Sequence, residues 1–163
     1  KTVRHYLDLL TGSYMVRQLH PWFENAGKRV VKSPKIYLRD SGLLHSLLSL
    51  TTSAEVSSHA KVGASWEGFA LEQVLRRIHG DPYFWATHQG AEIDLVLVRG
   101  GMRYGFELKR SDAPGMTKSL RLALSDLALE HVWVIYPGAR AYVVDQRVTV
   151  LPLSEIGTIT SMP

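Results

Sequence analysis

The chain has 163 residues, 45% of them apolar, and a formal net charge of +4 with a pI near 9.4. This apolar content is enough for a buried core, and the mild basic excess suits a polyanionic partner without requiring one. Because the sequence contains no cysteine, disulfides, thiolate metal sites and thiol nucleophiles are excluded. No apolar run approaches the roughly 20 residues of a membrane span, and the first residues lack a signal-peptide pattern, so we expect a cytoplasmic protein without membrane association.

The first predicted elements are a helix, a strand, a loop and a strand, an order typical of the end of a winged helix. We therefore assign residues 1–39 to a partial winged-helix unit. Because the chain starts at Lys1 inside the predicted helix, we expect a fragment of a longer protein. Four basic side chains in the predicted wing form a candidate phosphate-contacting patch, and the alternative is a solvated basic loop. They are Lys28, Arg29, Lys32 and Lys35.

The next segment is predicted to change from a short helix to a loop. Asp40 or Ser41 can cap a helix that runs to about Leu50. Residues 51–63 are rich in serine and threonine and show no apolar period, which predicts a flexible loop.

A longer helix is predicted over residues 64–78, and it carries one carboxylate on its apolar stripe. Leu71, Val74 and Ile78 share that stripe with Glu67. An inward carboxylate is costly unless it is paired or binds a cation. The alternative is that Glu67 is exposed in the first turn, where it favours the helix dipole. The sequence alone leaves both possibilities open.

A hairpin is predicted around the turn at residues 100–101, after a strand at residues 83–87. With these two glycines as the loop, Asp94 lies opposite Glu107, and Glu92 lies opposite Lys109 in a predicted ion pair. On the other face, Ile93 would lie opposite Leu108 and Leu95 opposite Phe106. Opposed carboxylates lie about 5 Å apart and repel each other. The pattern therefore indicates a divalent metal between Asp94 and Glu107.

The remaining sequence predicts a helix from about Thr117 and a strand at residues 132–136 that is buried on both faces. Two edge strands, at residues 141–144 and 148–151, and a polar tail at residues 154–163 follow. Residues 40–163 are thus expected to form one α/β domain with a mixed central sheet flanked by helices.

Glu67, Asp94 and the run Glu107-Leu108-Lys109 resemble the PD-(D/E)xK core of restriction-endonuclease-like nucleases over residues 64–136. The chain also resembles the uncharacterised C-terminal domain that follows an AAA-type ATPase in many bacterial and archaeal proteins. That second resemblance spans nearly the whole chain, and it departs from the expected pattern at Ala86, where we expect arginine. It is carried by the motifs at residues 35–44, Trp66-Glu67-Gly68-Phe69, Tyr83-Phe84-Trp85, Glu92-Ile93-Asp94 and Phe106-Glu107-Leu108-Lys109.

The resemblance implies metal-dependent hydrolysis of phosphodiester bonds in nucleic acid, with DNA favoured. It implies that Asp94, Glu107 and the carbonyl of Leu108 bind Mg²⁺ or Mn²⁺, that Glu67 completes the ligand set, and that Lys109 orients the attacking water. It also implies an N-terminal ATPase partner that alone binds ATP, since no phosphate-loop motif occurs here. The alternative is a catalytically silent module of the same ATPase that binds nucleic acid or another partner.

Overall fold

A computed structural model describes residues 2–23 and 31–159 of the chain. In these residues, one eight-stranded mixed sheet has the strand order β2-β1-β3-β4-β5-β6-β8-β7. This confirms the predicted α/β class with a mixed sheet between helices. The elements are α1 (Thr2–Gly12), β1 (Val16–Pro21), β2 (Lys35–Leu38), α2 (Ser41–Leu47), α3 (Ser53–Ser58), α4 (Val62–Arg77), β3 (Asp81–Ala86), β4 (Glu92–Arg99), β5 (Met102–Leu108), α5 (Lys118–Asp126), β6 (His131–Tyr136), β7 (Tyr142–Asp145), β8 (Val148–Pro152) and a 3₁₀ helix (Leu153–Thr158).

Two apolar clusters lie on opposite faces of the sheet. Helix α4 packs Leu71 and Val74 into one cluster, and α5 packs Leu120 and Leu124 into the other. Strand β6 contributes alternate residues to both clusters, which confirms the prediction that it is buried on both faces. Burial of each large apolar side chain contributes roughly 1.5–3 kcal/mol, so the two helices hold the central strands firmly in place. No described helix is both long enough and apolar enough to traverse a bilayer.

The central hairpin has the predicted turn and the predicted register along most of its length. Gly100 and Gly101 adopt φ values of 60° and 81°, which favour glycine because a side chain is strained there. The pairs run from Arg99 opposite Met102 to Leu95 opposite Phe106. The turn thus fixes which residues of β4 and β5 reach the far end of the hairpin.

One part of the predicted alternation is wrong. Against β3, the register of β4 shifts between the pairs Tyr83–Val96 and Trp85–Ile93, so β4 has one extra residue there. Ile93 therefore packs in the α5 cluster, whereas Leu95 packs in the α4 cluster. A β-bulge reverses the facing of every residue beyond it, and the sequence contains no sign of this one.

The N-terminal strands belong to the same sheet as the rest of the chain. Strand β1 pairs antiparallel with β2 and runs parallel to β3 through His20 opposite Tyr83. The predicted boundary between residues 1–39 and 40–163 stays a prediction. Of the predicted basic wing, Lys28 and Arg29 lie outside the described residues.

Helix α3 replaces the flexible loop that was predicted for residues 51–63. Thr52 caps it by accepting the backbone N–H of Glu55, while the Glu55 side chain accepts the backbone N–H of Thr52. This reciprocal capping box stabilises a helix through polar contacts, which a search for apolar periodicity overlooks. Upstream, Asp40 caps α2 as predicted, accepting the N–H of Leu43 at 2.9 Å.

The C-terminal segment is more buried than predicted. Strand β8 lies between β6 and β7, so of the two predicted edge strands β7 alone lies at an edge of the described sheet, and Val148 and Val150 are fully buried. The predicted polar tail begins as a 3₁₀ helix with Ile156 buried against α4. Ile159 also packs, partly buried, against the α4 cluster, and residues 160–163 are outside the described part of the chain.

Candidate active site

The site lies where β4 begins and β5 ends. Its first group is the carboxylate of Asp94. Its Oδ2 accepts a hydrogen bond from the backbone N–H of Leu108 at 2.9 Å. Only 8% of Asp94 is exposed. A side chain that is fixed by a backbone donor and shielded from water is held in one position, and its other oxygen, Oδ1, faces Lys35.

Glu107 and Lys109 lie together on β5 and just beyond it. Lys109 Nζ is 2.8 Å from Glu107 Oε1. The side chain of Glu107 is only 8% exposed. Its second oxygen, Oε2, is buried but has no hydrogen-bond partner among the described residues. The predicted pair between Glu92 and Lys109 is wrong, since Glu92 contacts Lys35 instead. An unpartnered buried carboxylate oxygen calls for a proton, a cation or a ligand.

Glu67 reaches the same cluster from α4. Its Oε1 accepts from Lys35 Nζ at 3.1 Å and from the hydroxyl of Tyr37. Of the two possibilities, the inward, paired carboxylate is therefore the one observed. The negative charge of Glu67 is among the charges that raise the pKa of Asp94 and the pKa of Lys109. The structure thus brings together all four predicted catalytic side chains, from one helix and the ends of two strands.

Lys35 stands in the middle of these carboxylates, which the sequence did not predict. Its Nζ lies 3.4 Å from Asp94 Oδ1, contacts Glu92, and sits 5.5 Å from the centre of the Phe84 ring. We predicted Lys35 as part of a phosphate-contacting wing, but its charge is directed to the acidic cluster. Lys32 is exposed, and its predicted contact with nucleic acid stays a prediction.

The electrostatics of the cluster are dominated by burial and by crowded negative charge. Burial, and then the charges of Glu107 and Glu67, raise the pKa of Asp94 to about 7 despite the opposing effects of Lys35 and the Leu108 N–H. Burial also raises the pKa of Glu107, which Lys109 opposes. The cluster is therefore short of positive charge.

The two amines respond in the opposite way. Burial disfavours the charged form of Lys35, but Asp94, Tyr37 and Glu67 outweigh it and raise its pKa. For Lys109, burial is likewise outweighed by Glu107 and Asp94, and its pKa is raised. Both ammonium groups therefore remain charged at neutral pH.

The carboxylates of the cluster are suitable ligands for a hard divalent cation, but they are not arranged as a ready-made metal site. Mg²⁺ and Mn²⁺ prefer carboxylate oxygens as ligands, and Glu107 Oε2 is one that no described residue contacts by a hydrogen bond. Within residues 2–23 and 31–159, no three acidic or histidine side chains are grouped closely enough to hold a metal ion. The ammonium of Lys35, between Glu67 and Asp94, supplies positive charge to these two carboxylates.

The second carboxylate on α4, that of Glu72, is buried and was not found from the sequence. It is 1% exposed and pairs with Arg17, whose Nη2 lies at 3.1 Å, and with Arg39, whose Nε lies at 3.2 Å. Burial acts to raise the pKa of Glu72, but the two guanidinium groups lower it overall. A possible signal was the alternation of Lys35, Tyr37 and Arg39, which places three polar side chains on one face of the strand.

A cavity of about 300 Å³ is lined by residues of α2, α3 and α4 and by Arg110. Its walls include Trp66 and Arg110, which are the sequence neighbours of Glu67 and Lys109. Phe69 lines it and is 40% exposed, and on another wall His45 Nε2 lies 2.7 Å from Ser65 Oγ. The cavity therefore has both apolar walls and one guanidinium group.

Comparison with known families matches most of the chain to two domains without assigned function. Residues 62–156, which carry the acidic cluster except for Lys35, match the family described as Domain of unknown function (DUF4143). Residues 1–54 match the family described as Domain of unknown function (DUF8612). No solved structure matches the chain.

Two curated relatives are similar to nearly the whole chain. The uncharacterised proteins Rv2008c of Mycobacterium tuberculosis and Mb2031c of Mycobacterium bovis are each 46% identical over 162 residues. The match covers 99% of this chain but only 37% of each relative. The chain therefore spans little more than a third of the length of the proteins that it resembles.

Proposed function

The chain belongs to the family described as Domain of unknown function (DUF4143), and we propose that it is a nuclease-like domain that hydrolyses phosphodiester bonds in nucleic acid with a divalent metal ion. DNA is the favoured substrate. The proposal includes the fold: the mixed sheet would be of the restriction-endonuclease-like type. Its function within a longer protein would be that of a C-terminal domain attached to an AAA-type ATPase, which would bind the ATP. The relatives' additional length leaves room for such a part in those proteins.

The observation that carries the proposal is the buried Oε2 of Glu107, which has no partner in the described part of the chain, together with the buried carboxylate of Asp94. Burying two carboxylates together costs free energy unless they gain a cation or a proton. Sites with strongly shifted pKa values that serve no evident structural purpose are candidates for function. The pair lies at the start of β4 and the end of β5, two neighbouring central strands of the sheet.

Each residue of the cluster has a role in the proposed reaction. Asp94, Glu107 and the carbonyl of Leu108 would hold Mg²⁺ or Mn²⁺, with Glu67 completing the set. When bound, the ion supplies Lewis-acid polarisation of the phosphate and activation of water. Lys109, half exposed and fixed against Glu107, would orient the attacking water and stabilise the negative charge that develops on the phosphate.

A cleavage assay tests the proposal directly. The chain would be incubated with end-labelled single- and double-stranded DNA and RNA, with Mg²⁺, Mn²⁺ or a chelator. We expect metal-dependent cutting that disappears in Asp94→Ala and Lys109→Ala. Glu130→Gln is the matched control, because Glu130 is an exposed acid at the opposite end of β6. Cutting that persists in both site variants would show a contaminating nuclease and end the proposal.

A second candidate function is a catalytically silent module of the same ATPase, which binds nucleic acid or another partner without cutting. The position of Lys35 favours this candidate, because an ammonium group already supplies positive charge to three of the carboxylates. In that case the chain would bind nucleic acid equally well with and without divalent metal, and binding would survive Asp94→Ala. No cutting would then be observed with either Mg²⁺ or Mn²⁺.

A further inference from the structure

Lys35 brings a positive charge from the N-terminal unit into a cluster that is otherwise built by α4, β4 and β5. Its Nζ is 3.1 Å from Glu67 Oε1 and 3.4 Å from Asp94 Oδ1, and it contacts Glu92 Oε1. Glu107, by contrast, is paired with Lys109 and keeps one buried oxygen free of partners among the described residues. The cluster therefore has one side on which three carboxylates share the ammonium of Lys35, and another side on which Lys109 pairs with only one of the two oxygens of Glu107.

The position of Lys35 is fixed from several directions. The β1–β2 pairing sets its backbone opposite Leu19. Above the ring of Phe84, its ammonium gains a cation–π contact. Only 25% of its side chain is exposed. Because its position is fixed, the ammonium of Lys35 acts as a permanent counter-charge to the carboxylates, whereas a flexible surface lysine would not.

The charge balance of the cluster fits one divalent ion. Glu67, Glu92, Asp94 and Glu107, when ionised, carry four negative charges, and Lys35 and Lys109 carry two positive charges. One divalent cation therefore brings the group to neutrality, and a second would leave an excess of positive charge in a partly buried site. Excess charge of either sign is costly where water is excluded.

We propose that Lys35 takes the place of a second divalent cation, so that the site binds a single metal ion on the side of Asp94 and Glu107. This inference rests on the proposed function, because it describes the same site. Nuclease sites that use two metal ions hold them about 3.5–4 Å apart between shared carboxylates. Here the ammonium of Lys35 contacts Asp94, which would be the shared ligand, together with Glu67 and Glu92.

The test is the number of Mn²⁺ ions that the chain binds, measured by titration calorimetry and by electron paramagnetic resonance. We expect one Mn²⁺ per wild-type chain. Lys35→Met should bind two ions, or bind the first at least tenfold more tightly, because three carboxylates lose their counter-charge. Lys35→Arg, which keeps the charge, should behave as wild type, and so should Lys118→Met, which removes an exposed charge on α5. If Lys35→Met does not fold, Lys35→Gln keeps a donor for Glu67 and permits the same comparison.

Each result decides between the inference and the function on which it rests. If the wild type binds one ion and Lys35→Met binds identically, the Lys35 inference is wrong and the metal site stands. If the wild type binds two ions, the inference is also wrong. If only Lys35→Met binds metal, Lys35 is the counter-charge but the natural site is not a metal site. If neither binds metal, both proposals fail.

Discussion

The backbone N–H of Leu108 donates to a side-chain oxygen of Asp94 at 2.9 Å, at the point where β4 and β5 stop pairing through their backbones. The last regular pair is Leu95 opposite Phe106. The carboxylate thus stands in for the next backbone acceptor and is held between the two strand ends. A hydrogen bond from a backbone donor gives this acidic residue a position that does not depend on metal.

This bond separates the charge of Asp94 from its structural role. In Asp94→Asn, the side-chain carbonyl can still accept from Leu108, but the negative charge is lost. We expect a folded protein whose cleavage rate falls at least about 100-fold, the order of effect when one electrostatic group leaves an active site. Cleavage and Mn²⁺ affinity would be measured together with the melting temperature. An unchanged cleavage rate in a folded variant would contradict the assigned role of Asp94.

Lys109→Met is expected to separate metal binding from catalysis. Without Lys109, Glu107 loses its ammonium partner, so Mn²⁺ should bind at least as tightly as before. Cleavage should fall by about 10²-fold or more, because the group that orients water is missing. The measurements are Mn²⁺ affinity and single-turnover cleavage. Lys118→Met, at an exposed position of α5, is the control, and equal losses in both variants would refute the role of Lys109.

Glu72→Gln tests the link between α4 and the N-terminal strands. The change leaves Arg17 and Arg39 facing a neutral amide, although both are partly exposed and keep some hydration. We expect the free energy of unfolding to fall by about 2–4 kcal/mol, near the lower end for breaking a buried ion pair. Chemical denaturation would measure it. Glu130→Gln should change stability by less than about 0.5 kcal/mol.

The same residue predicts how stability depends on pH. The pKa of Glu72 is lower in the folded chain than its ordinary value of 4.5. A group of this kind stabilises the fold fully above its unfolded pKa and loses that contribution as the pH falls through the folded pKa. The stability difference between wild type and Glu72→Gln should therefore be constant from pH 7 to about 5 and shrink at lower pH. Denaturation curves at pH 7, 5, 4 and 3 would show this, and a difference that grows in acid would contradict it.

Gly105→Ala probes the packing behind the site. A Cβ there would lie 2.9 Å from Leu129 Cδ1 and 3.0 Å from Val132 Cγ2, so the α5 cluster would have to shift. Overpacking of this kind typically costs about 1–3 kcal/mol. At Gly115, a Cβ would meet no atom of residues 2–23 and 31–159 within 4 Å, so Gly115→Ala should be neutral or slightly stabilising. Thermal melts of both variants compare them, and equal melting temperatures would show that the cluster has room.

Much of this architecture was predictable because local patterns agree with the fold. The paired glycines set the hairpin register, the apolar spacing located α4 and α5, and the acidic residues at the ends of β4 and β5 indicated where charge converges. Glu67 remained ambiguous because its direction depends on what packs over α4. The contact with Lys35 and Tyr37, which are 32 and 30 residues away, resolves that ambiguity.

The features that were missed depend on contacts between distant parts of the chain. The bulge next to Asp94 arises from pairing with β3, and the partners of Glu72 come from β1 and from the residue that follows β2. Lys35 looked like a surface cation because its three carboxylate partners are 32, 57 and 59 residues away along the chain. Charge patterns in a sequence do not show which charges meet across elements.

The alternation of Lys35, Tyr37 and Arg39 means that β2 and the residue after it supply partners to both α4 carboxylates. The segments that match two separate families are thus joined through ion pairs as well as through the sheet. Expressing residues 62–156 alone would strip Glu67 and Glu72 of every basic partner named here, so that piece should be poorly folded. Deleting one residue within β2 would turn its side chains away from α4, so insertions and deletions there should be tolerated less than point substitutions.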